Sequence, residues 1–288
     1  MKNAKPDLQL YARQWGATAV PFTQLDQKSW LQTPTLQTGW TRLDQNAQLR
    51  GVLLLSGPNG VGKSMLASRW LHQLDTRLFH PLSLTQATLS GSSLLSLLTM
   101  QLGKPAGFRR ERNLERIEAA LAELDRQIPV LVLDEAQNYS YPALEEVRLL
   151  LGLSLRQQPS FALVLIGDDY LLGTLRLRHH RALYSRITSH VELSPWNAQQ
   201  VADYLEAGFA AVGVERQSVE PAAVELLASA SGGLPRSLAS LARAAWIEAA
   251  SQQVRLITPD HVQKAIELVP CTPGLRLPPP SQTATTAS

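Results

Sequence analysis

The stretch Gly57-Pro58-Asn59-Gly60-Val61-Gly62-Lys63-Ser64 fills the pattern GxxxxGK[ST] completely, and Met65 carries it into a helical pattern. Glycines at these spacings let successive backbone N–H groups curl around β- and γ-phosphates at a helix N-terminus, where the helix dipole also favours anions. Lys63 then reaches the terminal phosphates, and the Ser64 hydroxyl is placed to ligate Mg²⁺. The flanks agree with this reading. Val52 to Leu55 is an apolar run that enters the loop as a buried strand, and Met65 to Leu74 leaves it as a helix. The expectation is a nucleoside triphosphate site built by residues 57–65.

Downstream, Leu78 to Leu84 reads as a second strand and Ser93 to Leu102 as a short apolar helix, followed by a basic loop from Gly103 to Arg110. Leu114, Ile117, Leu121 and Leu124 recur at helical spacing, which predicts a helix over Glu111 to Gln127. Val130 to Leu133 is a continuous apolar run, as expected of a parallel strand covered on both faces, and it ends in Asp134-Glu135. A helix opened by Pro142 and a further strand, Phe161 to Ile166, lead to Gly167-Asp168-Asp169. Alternating strands and helices predict an α/β domain on a parallel sheet. Ligands in such folds sit at the carboxyl ends of the strands, where Gly57, Asp134 and Asp168 would meet.

That convergence gives each acid a role. Asp134, ending a buried strand, is placed to hold Mg²⁺ opposite Ser64. Glu135 is placed to orient and deprotonate an attacking water, because a loop and a metal stabilise charge without activating a nucleophile. Asp168 closes the next strand near the γ-phosphate or the water. A carboxylate there is repelled by the phosphate, so its alternatives are a metal-bound water or a basic neighbour.

After about Leu193 strand signals stop. Pro195, Pro221, Pro235 and Pro259 each precede a helical pattern, which predicts a small all-α domain over 193–270 behind an α/β domain over 46–192. Residues 1–45, with Trp15, Trp30 and Trp40 but no sustained period, read as an N-terminal arm packed on the main domain. The stretch 271–288, rich in Pro, Thr and Ser, reads as a disordered tail.

Composition narrows the function classes. The 288 residues, 44% of them hydrophobic, suffice for one large core and a satellite, and the formal net charge is only +3. No apolar stretch approaches the roughly 20 residues of a membrane span, and MKNAKPDLQL lacks the core of a secretory signal, so a cytoplasmic protein without a membrane partner is expected. Cys271 stands alone, without a disulfide or zinc partner. Any nucleic-acid surface must come from local clusters. One holds Lys104, Arg109, Arg110, Arg112 and Arg116; another holds Arg176, Arg178, Arg181 and Arg186 with His179 and His180. Arg181 or Arg186 would serve as an arginine finger for a neighbouring subunit in a ring or filament, and Arg236, after Gly232-Gly233-Leu234-Pro235, would reach the phosphates in cis.

These segments together resemble an AAA+ ATPase of the branch that contains ExeA and the transposition regulators TnsC and TniB. The resemblance is carried by Leu133-Asp134-Glu135-Ala136-Gln137, the helix from Leu144 to Leu151, the strand Val164 to Leu171, Ser185-Arg186-Ile187 and Gly232-Gly233-Leu234-Pro235-Arg236. It covers roughly residues 40 to 268. It implies a P-loop AAA+ α/β domain followed by a helical lid, with ATP and Mg²⁺ as cofactors. Lys63 and Ser64 match Walker A, Asp134 and Glu135 match Walker B, Asp168 sits at sensor 1, Arg186 matches the arginine before isoleucine, and Arg236 matches sensor 2. Relatives often have Gly-Gln-Pro-Glu-Leu where this chain has Gly167-Asp168-Asp169-Tyr170-Leu171, a carboxylate in place of the sensor 1 amide. The resemblance further implies a self-associating regulator of DNA transposition. It would assemble on double-stranded DNA through Lys104, Arg109, Arg110 and Arg112, and engage a transposase and a target-selection protein. The alternatives are a secretion-associated ATPase of the ExeA type, whose members add a membrane span and a cell-wall-binding segment, and a nucleotide-gated oligomerisation switch that does not use DNA.

Overall fold

A computed structural model describes residues 8–23, 33–85, 88–124, 126–152, 160–215 and 218–270, and the chain divides into two compact units. One unit is Pro34–Ser194, and the other combines the described residues of 1–33 with those from Pro195 onward.

In the first unit, β1 (Val52–Ser56), β2 (Phe79–Leu84), β3 (Ile128–Leu133), β4 (Ala162–Ile166) and β5 (Ser189–Glu192) form a sheet in the order β2-β3-β4-β1-β5. Every pairing is parallel. The order reverses at β1, which lies between β4 and β5, and the register aligns Leu55 with Ile166 and Leu133 with Leu165. The loop after β1, the acids after β3 and Gly167-Asp168 after β4 therefore leave the same edge of the sheet.

The apolar runs hold this arrangement because the strands are covered on both faces. Val52, Leu54, Leu131, Leu133, Leu163 and Leu165 share one core with residues of α4 (Gly91–Gln101), α5 (Arg110–Glu123), α6 (Tyr141–Leu150), α7 (Asp169–Leu175) and α8 (Arg181–Tyr184). The alternating residues Leu53, Leu55, Val132 and Val164 are equally buried on the opposite face. α2 (Pro34–Gln48) and α3 (Lys63–Gln73) lie on that side, where the buried Asn46 donates its Nδ2 hydrogen to the Leu163 carbonyl at 3.0 Å and Trp70 Nε1 donates to Asp44 at 2.7 Å. Each fully buried leucine contributes about 2 kcal/mol by transfer from water.

Two elements of this unit were not expected. β5 reads Ser-His-Val-Glu, an edge strand with only Val191 buried, so no apolar run marks it. α2 turns Leu36, Gly39, Leu43, Asn46 and Ala47 inward, a helical spacing hidden by a glycine and an asparagine.

The second unit packs α9 (Ala198–Ala210), α10 (Pro221–Ser231), α11 (Pro235–Ser251) and α12 (Pro259–Leu268) around Trp246, Leu241 and Leu227. Proline opens α10, α11 and α12 as expected. α9 instead starts after Asn197, whose side chain forms a reciprocal capping box with Gln200, so Pro195 precedes the helix rather than entering it.

The N-terminal residues are corrected in one respect. They do not form one arm on the main domain: α1 (Leu8–Trp15) and residues 17–23 join the helical unit, whereas α2 belongs to the sheet unit. The reason is hydrophobic. Trp15 lies 5.7 Å from Trp246 between ring centroids, Phe22 packs on Tyr204 and Phe209, and the Thr18 N–H donates to the Val212 carbonyl at 2.9 Å. Trp15→Ala should then destabilise the helical unit by about 3–5 kcal/mol, read as a lower urea midpoint for its unfolding. A wild-type midpoint would place α1 outside this core. Trp30, Cys271 and the expected tail over 271–288 lie outside the described residues.

Candidate nucleotide site

The loop after β1 is shaped by its glycines. Gly57 sits at φ 140°, and a Cβ on it would meet the Leu193 carbonyl oxygen at 2.2 Å, so no side chain is accommodated. Gly62 then opens α3 in the left-handed region at φ 108° without a side-chain cap, and the first-turn amides of the helix keep their donors for another acceptor. An anion satisfies both those donors and the helix dipole.

Lys63 is buried, 8% exposed, and its Nζ donates to the carbonyls of Gly57 at 2.7 Å and Pro58 at 3.1 Å. Burial lowers its pKa, opposed by the charges of Glu135, Asp168, Asp134 and Asp169 in that order. These four carboxylates follow β3 and β4, which leave the same end of the sheet as the loop after β1 that carries Lys63.

β3 ends in a tight turn. The Glu135 N–H donates to Asp134 Oδ1 at 2.9 Å, and Glu135 itself adopts φ 52°, uncommon for a residue with a side chain. A single 3₁₀ turn, Ala136–Asn138, follows. Tyr139 donates its hydroxyl to the Leu84 carbonyl at 3.3 Å; burial, then the Asp134 charge, raises its pKa, which keeps it a donor.

Mg²⁺ binds through hard oxygen ligands and, beside phosphates, takes one or two protein groups rather than a protein cage. Among the described residues no cluster of three or more His, Cys, Asp or Glu forms such a cage. The half-buried Ser64 hydroxyl in the first turn of α3 and the half-buried Asp134 carboxylate are oxygen donors of the right kind.

Asp168 is placed at the site but engaged. Its Oδ1 accepts the N–H groups of Tyr170 at 3.0 Å and Leu171 at 3.3 Å, capping α7. Gln137 was missed as a functional residue. Its Nε2 donates to Glu135 Oε2 at 2.6 Å, and the only signal in the sequence was an amide two residues beyond the acid pair.

The arginines are carried by other elements. Arg181 is exposed at the start of α8, Arg186 donates to the Ala182 carbonyl at 2.8 Å, and the Arg186 charge acts on Glu145 of α6, whose pKa is lowered chiefly by its hydrogen bond to Arg148. Arg236 is exposed in the first turn of α11, in the helical unit. In the basic loop, Lys104 bonds both Glu123 oxygens, at 2.7 and 2.8 Å, and Arg110 grips Glu146 with two parallel bonds. Arg109 and Arg112 are exposed and carry no ion pair among the described residues, beside the fully exposed Phe108.

Residues 45–175 match the family model described as AAA domain. The chain is 32% identical over 193 residues to general secretion pathway protein A of Aeromonas hydrophila, covering 65% of this chain and 35% of the relative's length. Among solved structures, the Aeropyrum pernix ORC1 protein in complex with DNA superposes with TM-score 0.67 at 20% identity, over 85% of this chain and 68% of that one. The Thermotoga maritima RuvB Holliday junction branch migration motor gives TM-score 0.58 at 20% identity, over 86% and 72%. At such identities the structures speak to fold alone, and the AAA domain with its intact phosphate loop supports ATPase activity in general terms. The architecture is the P-loop AAA+ α/β fold with C-terminal helices, within which residues 45–175 match the AAA domain model.

Proposed function

We propose that this chain hydrolyses ATP and that its nucleotide state controls assembly with further copies of itself on double-stranded DNA. The single observation that supports the hydrolytic part is that the phosphate loop after β1 and the acid pair after β3 leave the same end of the parallel sheet, with the Glu135 and Asp134 charges acting on Lys63. The uncapped amides of α3 and Lys63 bind the phosphates. Ser64 and Asp134 would hold Mg²⁺, which neutralises charge on the β- and γ-oxygens. Glu135 takes a proton from water as the water oxygen bonds to the γ-phosphorus; the bond to the β,γ-bridging oxygen breaks, and its electron pair leaves with ADP.

Arg181 or Arg186 would act on the site of a neighbouring copy as an arginine finger. DNA contact falls on Arg109 and Arg112, because the charges of Lys104 and Arg110 are matched by Glu123 and Glu146. Replacing both Arg109 and Arg112 with Ala should reduce the slope of log K against log salt for duplex binding by about 2, and Lys104→Ala should change it less. Equal slopes for all variants would move the DNA surface elsewhere.

The finer reading is a cytoplasmic regulator of transposition that presents the assembled copies to a transposase and a target-selection protein. It rests on the family resemblance of the motifs. The second reading is a secretion-associated ATPase, supported by the similarity to general secretion pathway protein A. Among the described residues no helix is long and apolar enough to cross a membrane. ATPase rate and particle size, measured with and without duplex DNA, separate them. DNA-dependent assembly supports the first reading, and indifference to DNA supports the second.

A further inference from the structure

Gln137 does something that the motifs alone do not assign. It lies within the 3₁₀ turn Ala136–Asn138, just after Glu135, and its side chain folds back so that Nε2 donates to Glu135 Oε2 at 2.6 Å. Of the two ends of an amide only the NH₂ donates, so a contact to the ionised carboxylate assigns the nitrogen to this end. The other end, Oε1, is buried and has no hydrogen-bond partner. Such an acceptor is costly to leave unmet.

The neighbouring strand end makes room for this arrangement. A Cβ on Gly167, the residue after β4, would come within 2.9 Å of Gln137 Oε1. Asp168, next in the chain, offers no amide there, and its Oδ1 is engaged in capping α7. Gln137 thus supplies the one side-chain amide bonded to Glu135 among the described residues, from β3 rather than from β4.

We propose that Gln137 is a positioning residue for ATP hydrolysis, holding the Glu135 carboxylate in place through Nε2. This rests on Glu135 acting as the base. With Oε2 held by Gln137, Oε1 of Glu135 remains to take the proton, so the carboxylate is fixed in one orientation rather than free to rotate away from the water. A misplacement of about 1 Å in such a group costs on the order of 100-fold in rate.

The test is Gln137→Met, which keeps the side-chain length and removes the amide, with Gln137→Asn as a second variant whose amide cannot span to Glu135. Both should lower kcat about 10- to 100-fold while leaving the KM for ATP and the affinity for a nonhydrolysable analogue within about twofold of wild type. Added to Glu135→Gln, Gln137→Met should cost little more, because the two act as a unit. Wild-type kcat in either folded variant overturns the proposal, as does a further full loss in the Glu135→Gln background. A loss matched by an equal rise in KM also overturns it. If wild-type protein turns over no ATP, the hydrolytic reading falls with it, whereas wild-type turnover with an indifferent Gln137 variant removes this proposal alone.

Discussion

Replacing Glu135 with Gln should leave ATP affinity within about twofold and lower kcat by about 10²- to 10⁴-fold, the range lost when a positioned general base is removed. The substitution keeps the shape of the side chain and its place in the φ 52° turn after β3, so the phosphate loop is undisturbed. It removes only the ability to accept a proton. If assembly follows nucleotide occupancy, this variant should form stable particles that no longer disassemble, seen as persistent light scattering with ATP and duplex DNA. Full turnover by the variant would mean that Glu135 is not the base, and the hydrolytic site would have to be sought elsewhere.

Lys63→Ala should fail earlier in the cycle. Its ammonium makes charge-assisted contacts to the phosphates, each worth about 1.5–3 kcal/mol, so ATP affinity should fall at least about tenfold. Turnover should fall about 10²- to 10³-fold, because negative charge grows on the oxygens that it holds. The loss also leaves Glu135, Asp168, Asp134 and Asp169 without the cation that they face, and their repulsion adds to that of the incoming triphosphate. Titration with a fluorescent nucleotide checks the first expectation and phosphate release the second. Glu135→Gln should bind without turning over, whereas Lys63→Ala should do neither, so the pair separates occupancy from hydrolysis. Unchanged affinity in Lys63→Ala would overturn the phosphate-loop assignment.

The core of this site was legible because its signals are local. A phosphate loop needs its glycines, Lys63 and Ser64 in consecutive turns of chain, and a buried parallel strand such as β3 needs an uninterrupted apolar run before its acids. Each can be read without knowing what lies beside it. The chemistry of Asp168 was less legible, since a carboxylate after a strand serves equally as ligand or as helix cap, and it caps α7 through Oδ1. The ion pairs of the basic loop were not legible because Glu123 and Glu146, which match Lys104 and Arg110, are 19 and 36 residues away.

Chain order thus fixed the alternation of strands and helices, the phosphate loop and the strand-end acids, all of them set by spacing and apolar runs over a few residues. Tertiary packing decided which charges remain exposed, that α1 completes the helical unit while α2 covers the sheet, and that Gln137 reaches back to Glu135. Those outcomes depend on partners distant in sequence or on small and polar residues at buried faces, where hydrophobic periodicity carries no information.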